Sequence, residues 1–141
     1  GKQYYLKSGL VTGMAPELAE VIVDHMSRDN PVSSWMQHLG GAPSSVAPDA
    51  TAYSHRSAAL NLGIMVVSED PAAMDDNIAS ARAFYKDAEP YMHGFYTNLN
   101  EDDEKKTWGN YGENYPRLVE LKNKYDPTNL FRLNANVNPG V

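Results

Sequence analysis

Residues 60–67 read Leu-Asn-Leu-Gly-Ile-Met-Val-Val. Taken as a strand over His55–Val67, the run puts Leu60, Leu62, Ile64 and Val66 on one side and Asn61, Gly63, Met65 and Val67 on the other. Both sides are largely apolar, so the strand belongs in the middle of a sheet and the rest of the fold must be arranged around it. Two further extended stretches precede it, Gln3–Val11 and Val32–Leu39. In the second, Trp35, Gln37 and Leu39 share one face, and Gly40-Gly41-Ala42-Pro43 breaks the strand. A short strand is expected near Tyr91–Asn98.

Helical spacing fills the gaps. Over Pro16–Ser27, Leu18, Val21, Ile22 and Met26 form an apolar stripe behind a favourable N-terminal proline. Over Pro71–Asp87 the stripe is Met74, Ile78, Ala81 and Tyr85. This order predicts an α+β domain, an antiparallel sheet covered on one face by helices. The last third differs. Asn100 is placed to cap a polar helix through about Trp108, and a second helix over Tyr115–Tyr125 stops at Asp126-Pro127. An irregular, extended tail, Thr128–Val141, carries Asn129, Asn134, Asn136 and Asn138. Such a tail cannot build a core of its own, so it is expected to lie against something larger.

Composition narrows the function classes. With 12 basic and 18 acidic residues the net charge is -6, which disfavours nucleic acid and anionic membrane surfaces as partners. No apolar run approaches the ~20 residues a membrane helix needs. There is no cysteine, hence no thiol chemistry or disulfide within the chain. Phosphate-loop, dinucleotide-loop and serine-elbow signatures are absent. His25, His38, His55 and His93 lack metal-ligand spacing, so no metal site is expected. The cluster Glu101-Asp102-Asp103-Glu104 reads as a solvated first helical turn. Tyrosine is the unusual residue: there are nine, and five fall between Tyr85 and Tyr115. They serve equally as half-buried packing or as a phenol acting as acid or base in a pocket.

The segment from Asn110 to Pro139 decides more. It contains Tyr111-Gly112, Arg117-Leu118, Lys122, Tyr125-Asp126-Pro127, Asn129-Leu130-Phe131-Arg132 and an Asn-rich close. In this order and spacing they resemble the closing motif of the berberine-bridge-enzyme-like flavoproteins. Upstream, Gly40-Gly41-Ala42, Ala50-Thr51-Ala52 and His55-Arg56 resemble the same family's substrate domain. The family's members are FAD-linked oxidases of the vanillyl-alcohol-oxidase type. The resemblance implies that residues 1–99 are the second half of a substrate-binding domain. Residues 100–141 would be the segment that returns to an FAD-binding domain of the same parent chain. The family's FAD-domain segments, with the flavin-tethering residues and the loops that hold the FAD pyrophosphate, have no counterpart here, so the chain alone is expected to be inactive; the surface that would meet the FAD domain is expected to be exposed and prone to self-association.

The resemblance also implies a mechanism. A substrate carbon gives a hydride to flavin, with oxygen as the usual acceptor, while a tyrosine removes the adjacent proton. The stretch Gly94-Phe95-Tyr96-Thr97-Asn98-Leu99 points to Tyr96 as that base. Gln37, Leu39, Leu62 and Ile64 become candidate substrate contacts, and Tyr111, Asn134 and Asn136 candidate FAD contacts. Relatives carry polar residues at places matched by Leu62 and Ile64, so their aliphatic side chains imply a more apolar pocket. Two other readings stay open: a standalone small-molecule binding module, and a subunit of a split flavoenzyme. The split subunit predicts an exposed apolar face along Leu118, Leu121, Tyr125 and the tail.

Overall fold

The computed structural model describes residues 1–100, 107–133 and 135–140. Three strands, β1 (Gln3–Val11), β2 (Ser33–His38) and β3 (Leu60–Ser68), form an antiparallel sheet in the order β1-β3-β2. The apolar run is thus the central strand, as expected. It is shorter at its start, because His55 and Arg56 use their side chains to fix a loop. Two helices, α1 (Pro16–Met26) and α2 (Met74–Ala88), cover one face. A short helix α3 (Thr107–Tyr111) leads through a tight turn into α4 (Tyr115–Tyr125). The fold is α+β. The helix expected from Asn100 to Trp108, with its acidic first turn, falls mostly outside the described residues.

Register decides which side of each strand meets the helices. Tyr5 pairs with Val66, Lys7 with Ile64, Gly9 with Leu62 and Val11 with Leu60. These residues face α1 and α2, and the core gathers Tyr5, Val11, Leu18, Leu62, Ile64, Val66, Ala81 and Phe84. Gly9 is required there: a Cβ would fall 1.9 Å from the sulfur of Met92, which closes over the strand.

The helical stripes pack as expected through Leu18, Val21 and Ile22 and through Met74, Ile78 and Ala81, and differ at their C-terminal ends. On α1, Met26 is 42% exposed and His25 is buried in its place. The imidazole stacks on Phe84 at 4.7 Å and an angle of 5°, and Nε2 lies 2.8 Å from Asp87 Oδ2. On α2, Phe84 rather than Tyr85 is fully enclosed. The stripe is wide enough to admit either, and the partner helix selects.

The expected fourth strand over Tyr91–Asn98 is not formed. Tight turns at Glu89–Tyr91 and Thr97–Leu99 bracket a short extended run. That run still closes the edge of β1: Leu10 N–H donates to Gly94 O and His93 N–H to Leu10 O. Asn100 continues the edge, with Oδ1 accepting from Ser8 N–H and Nδ2 donating to Ser8 Oγ.

The start of the tail is held by one carboxylate. Asp126 accepts from Lys122 Nζ, Leu130 N–H and Phe131 N–H, and Lys122 also donates to Phe131 O. The Lys122 hydrogen bond is the main cause that holds the Asp126 carboxyl below its ordinary value of 3.8; partial desolvation opposes it, and the two backbone N–H groups add to it. A depressed folded value means the contribution is present above about pH 4 and is lost as pH falls through the folded value. Limited proteolysis of the tail should therefore accelerate as pH falls below about 4, and Asp126→Asn should be fast and flat across that range. An unchanged rate in the variant would show that the carboxylate does not anchor the tail.

Candidate active site

The face of the sheet away from the helices carries the site. Leu10, Asn61 and Gln37 lie side by side across the three strands, since Leu10 pairs with Asn61 and Asn61 with Gln37. The loop before β3 folds over one end of this row, and the run around Phe95 and Tyr96 folds over the other. Between them is a cleft of about 400 Å³ that also takes in Leu39, Pro43, Tyr53, Arg56 and Tyr96. Further along β3, Gly63 lets the Trp35 ring lie across the strand; a Cβ there would fall 2.1 Å from the indole.

Three loop residues set the wall. His55 Nε2 bonds Gly109 O at 2.9 Å, which ties the loop to α3. Arg56 donates to Pro43 O at 3.2 Å and to Thr51 Oγ1 at 2.7 Å, and its guanidinium lies 5.0 Å from the Tyr53 ring centre. Burial pushes the Tyr53 phenol above its ordinary value of 10.0; Arg56 opposes the shift and Tyr96 adds to it. Tyr53 is therefore a neutral hydrogen-bond donor near pH 7. Tyr96 is 40% exposed, and its Oη accepts from Asn98 Nδ2 at 3.0 Å.

Two polar atoms on this cleft are unmatched. Asn61 is 2% exposed, and its Oδ1 is buried with no hydrogen-bond partner among the described residues. Arg56 Nε is likewise buried and unpartnered. A buried polar atom left without a partner costs about 1–3 kcal/mol.

A second cleft, of about 440 Å³, shares the walls Tyr53 and Tyr96 and continues past Thr97, Asn98, Asn110 and Tyr111 to Leu133 and Ala135 of the tail. Asn110 Oδ1 accepts from Thr97 N–H at 2.9 Å, while Thr97 Oγ1 is buried without a partner among the described residues. Tyr96 thus stands at the junction of the two clefts.

Residues 95–138 match the family model described as "Berberine and berberine like". The uncharacterized FAD-linked oxidoreductase YgaK of Bacillus subtilis is 33% identical over 119 residues, 83% of this chain and 26% of that protein. Berberine bridge enzyme-like 17 of Arabidopsis thaliana is 30% identical over 161 residues, 99% of this chain and 30% of that protein. The crystal structure of berberine bridge enzyme from Eschscholzia californica superposes on 99% of the chain with a TM-score of 0.87 at 17% identity, a likeness of fold. The chain belongs to the berberine-bridge-enzyme-like, FAD-linked oxidoreductases. It spans about a quarter to a third of the length of these relatives.

Membership in the berberine-bridge-like family makes FAD the cofactor to test against this chain. The second cleft fits a flavin in kind. Its lining includes the amide of Asn98 and the phenol of Tyr111, groups that suit the mixed donors and acceptors of a flavin ring edge and ribityl chain.

The sequence-derived candidates separate cleanly. Gln37, Leu39 and Tyr96 line the first cleft, and Tyr111 lines the second. Leu62 and Ile64 are corrected: at 1% and 0% exposure they lie in the core on the helix-covered face and cannot reach the cleft. The pleat sends their neighbour Asn61 there instead. Asn136 donates Nδ2 to Asn138 Oδ1 at 2.8 Å and has a buried, unpartnered Oδ1, one residue beyond the cleft-lining Ala135. Asn134 lies outside the described residues. Sequence reasoning missed Asn61, Tyr53 and Arg56. One signal for Asn61 was present, since it is the sole polar side chain in residues 60–67.

Proposed function

We propose that this chain forms the substrate-facing sheet and C-terminal closure of an FAD-dependent oxidase acting on an alcohol-type carbon. The observation that carries the reading is Tyr96, a phenol shared by a substrate-sized cleft and by a second cleft with flavin-compatible groups. FAD, when bound, supplies the hydride acceptor, and oxygen is the final oxidant. Tyr96 Oη, once its own proton has passed to solvent, receives the proton of the substrate hydroxyl, and Asn98 Nδ2 holds the phenol oxygen in place. Tyr53, kept neutral, donates a hydrogen bond toward the substrate oxygen. Gln37 orients the substrate, and Leu10, Leu39 and Pro43 exclude water.

In this reading residues 1–99 complete a substrate domain, and residues 100–141 return to the FAD-binding domain of a longer parent chain. Support comes from the surface of α4 and the tail. Leu121, Tyr125, Leu130, Phe131 and Leu133 are between 41% and 84% exposed, too much apolar area for water to be its natural neighbour. The same face also suits an FAD domain supplied by a separate chain. Alone, the 141-residue chain should neither bind FAD nor oxidise an alcohol.

The test uses visible absorbance. The purified chain mixed with FAD and passed over a desalting column should carry no flavin, whereas the parent protein should retain it. The parent's flavin should then bleach anaerobically with an alcohol substrate and release hydrogen peroxide on return to air. Stoichiometric flavin on the isolated chain would overturn the fragment reading, and a parent flavin that no alcohol bleaches would overturn the reaction.

A further inference from the structure

His55 stands where three segments of the site meet. It follows Tyr53 in the loop before β3, and the two rings pack edge to face with centres 5.8 Å apart. Its Nε2 lies 2.9 Å from Gly109 O, in α3. A carbonyl only accepts, so Nε2 carries the hydrogen and donates it. On its other side Gly94, with a φ of 148°, comes so near that a Cβ would fall 2.5 Å from His55 Cε1. One imidazole thus touches the loop that carries Tyr53, the run that carries Tyr96 and the helix that carries Asn110 and Tyr111.

The contact reaches Tyr96 through its neighbour. Gly109 also lies against Phe95: a Cβ there would fall 2.8 Å from that ring, and Phe95 is buried. Tyr96 follows in extended backbone, with φ -108° and ψ 114°. Successive side chains of an extended run point to opposite sides. Seating Phe95 on Gly109 therefore turns Tyr96 toward the two clefts, while Phe95 lines a separate space of about 380 Å³ with Met92 and Trp108. His55 borders that space and the first cleft, so its ring is part of the wall between them. Thr97 N–H is held in turn by Asn110 Oδ1, next to Gly109. The placement of α3 thus sets the placement of the Tyr96 run.

We propose that His55 is a positioning residue for Tyr96: by holding the Gly109 carbonyl it fixes α3, the seat of Phe95 and hence the direction of the phenol. Its role in the reaction rests on the reading of Tyr96 as the proton acceptor, but the order it imposes on the Tyr96 run can be read separately. His55 itself takes no proton from the substrate, because its Nε2–H is committed to Gly109.

The test compares His55→Leu, His55→Asn and His55→Gln in the FAD-loaded parent protein. Leucine keeps bulk in the wall without a donor, asparagine stops short of Gly109 O, and glutamine presents an N–H at about the reach of Nε2. Anaerobic flavin reduction is followed by stopped flow with benzyl alcohol, cinnamyl alcohol and glucose, and amide exchange over residues 93–99 by mass spectrometry. With a probe that reduces the wild type, the leucine and asparagine variants should slow reduction by about 10–100-fold and leave the half-saturating concentration within about threefold. Their 93–99 amides should exchange faster, and glutamine should restore both rate and exchange. In a Tyr96→Phe background, His55→Leu should slow reduction by less than about twofold more, since the phenol it positions is gone. If the leucine variant fails to fold, asparagine takes its place in every comparison. An unchanged reduction rate, no rescue by glutamine, or a loss that simply multiplies with that of Tyr96→Phe would each overturn the proposal. If no probe bleaches the wild-type flavin, or Tyr96→Phe reduces at the wild-type rate, the oxidase reading falls and exchange alone decides the positioning. Faster exchange reversed by glutamine would then sustain it, and wild-type exchange in the leucine variant would sink it.

Discussion

Tyr96→Phe in the full-length flavoprotein should lower kcat by about 10²–10⁴-fold, the usual contribution of a positioned acid–base group. Phenylalanine keeps the ring that walls both clefts, so substrate should still bind and KM should change little. What is lost is Oη and its bond from Asn98 Nδ2. Because Tyr96 is 40% exposed, stability should stay within about 0.5 kcal/mol of the wild type. The deciding measurement is anaerobic flavin reduction by stopped flow, which isolates the chemical step from reoxidation. A variant that reduces its flavin at the wild-type rate would remove Tyr96 from the mechanism. An equal loss in kcat and kcat/KM would mark an interaction made in the transition state.

Phe84→Ala should cost this chain about 3–5 kcal/mol, the range for emptying an aromatic site in a packed interior. Phe84 is fully enclosed and stands where α2 meets the sheet and α1. It also supplies the flat surface on which the buried His25 stacks. Removing the ring leaves a void and strips one face of that imidazole, so neighbouring side chains can relax only in part. The melting temperature should fall by roughly 10 °C. A loss below about 1 kcal/mol would mean that α2 is held mainly by other contacts. Tyr85→Ala, one position along, should cost clearly less, because Tyr85 is only partly buried and its loss opens toward solvent.

The pair also marks where the sequence stopped being sufficient. Local patterning placed the central strand, α1, α2 and α4 to within a few residues, because hydrophobic period and flanking prolines are properties of the chain itself. The closing motif from Asn110 to Pro139 carried the family, and Tyr96 followed from it. Element faces were legible only roughly. Helix α2 offers Phe84 and Tyr85 about 100° apart, at the two edges of a wide apolar stripe, and α1 offers His25 and Met26 in the same way. Which of each pair is enclosed depends on how the two helices pack on each other and on the sheet, and that is a tertiary choice.

The site shows the same division more sharply. Sequence alone named the strand that lines the cleft but put Leu62 and Ile64 in it, one residue out of phase with Asn61. A strand with two apolar faces gives no internal signal for which face meets the helices, since either is acceptable to a core. The decision is made by β1, whose Tyr5 and Val11 are paired so as to share the helix side with Leu62, Ile64 and Val66. Once that pairing is set, a side-chain period of two sends Asn61 to the opposite face, where the loops from residues 53–56 and 95–97 meet over it. The chain's own pattern thus determined which segments become strands and helices and which family they belong to. Pairing between strands distant in sequence decided which side chains line the cleft, because register is a relation between segments and no single segment contains it.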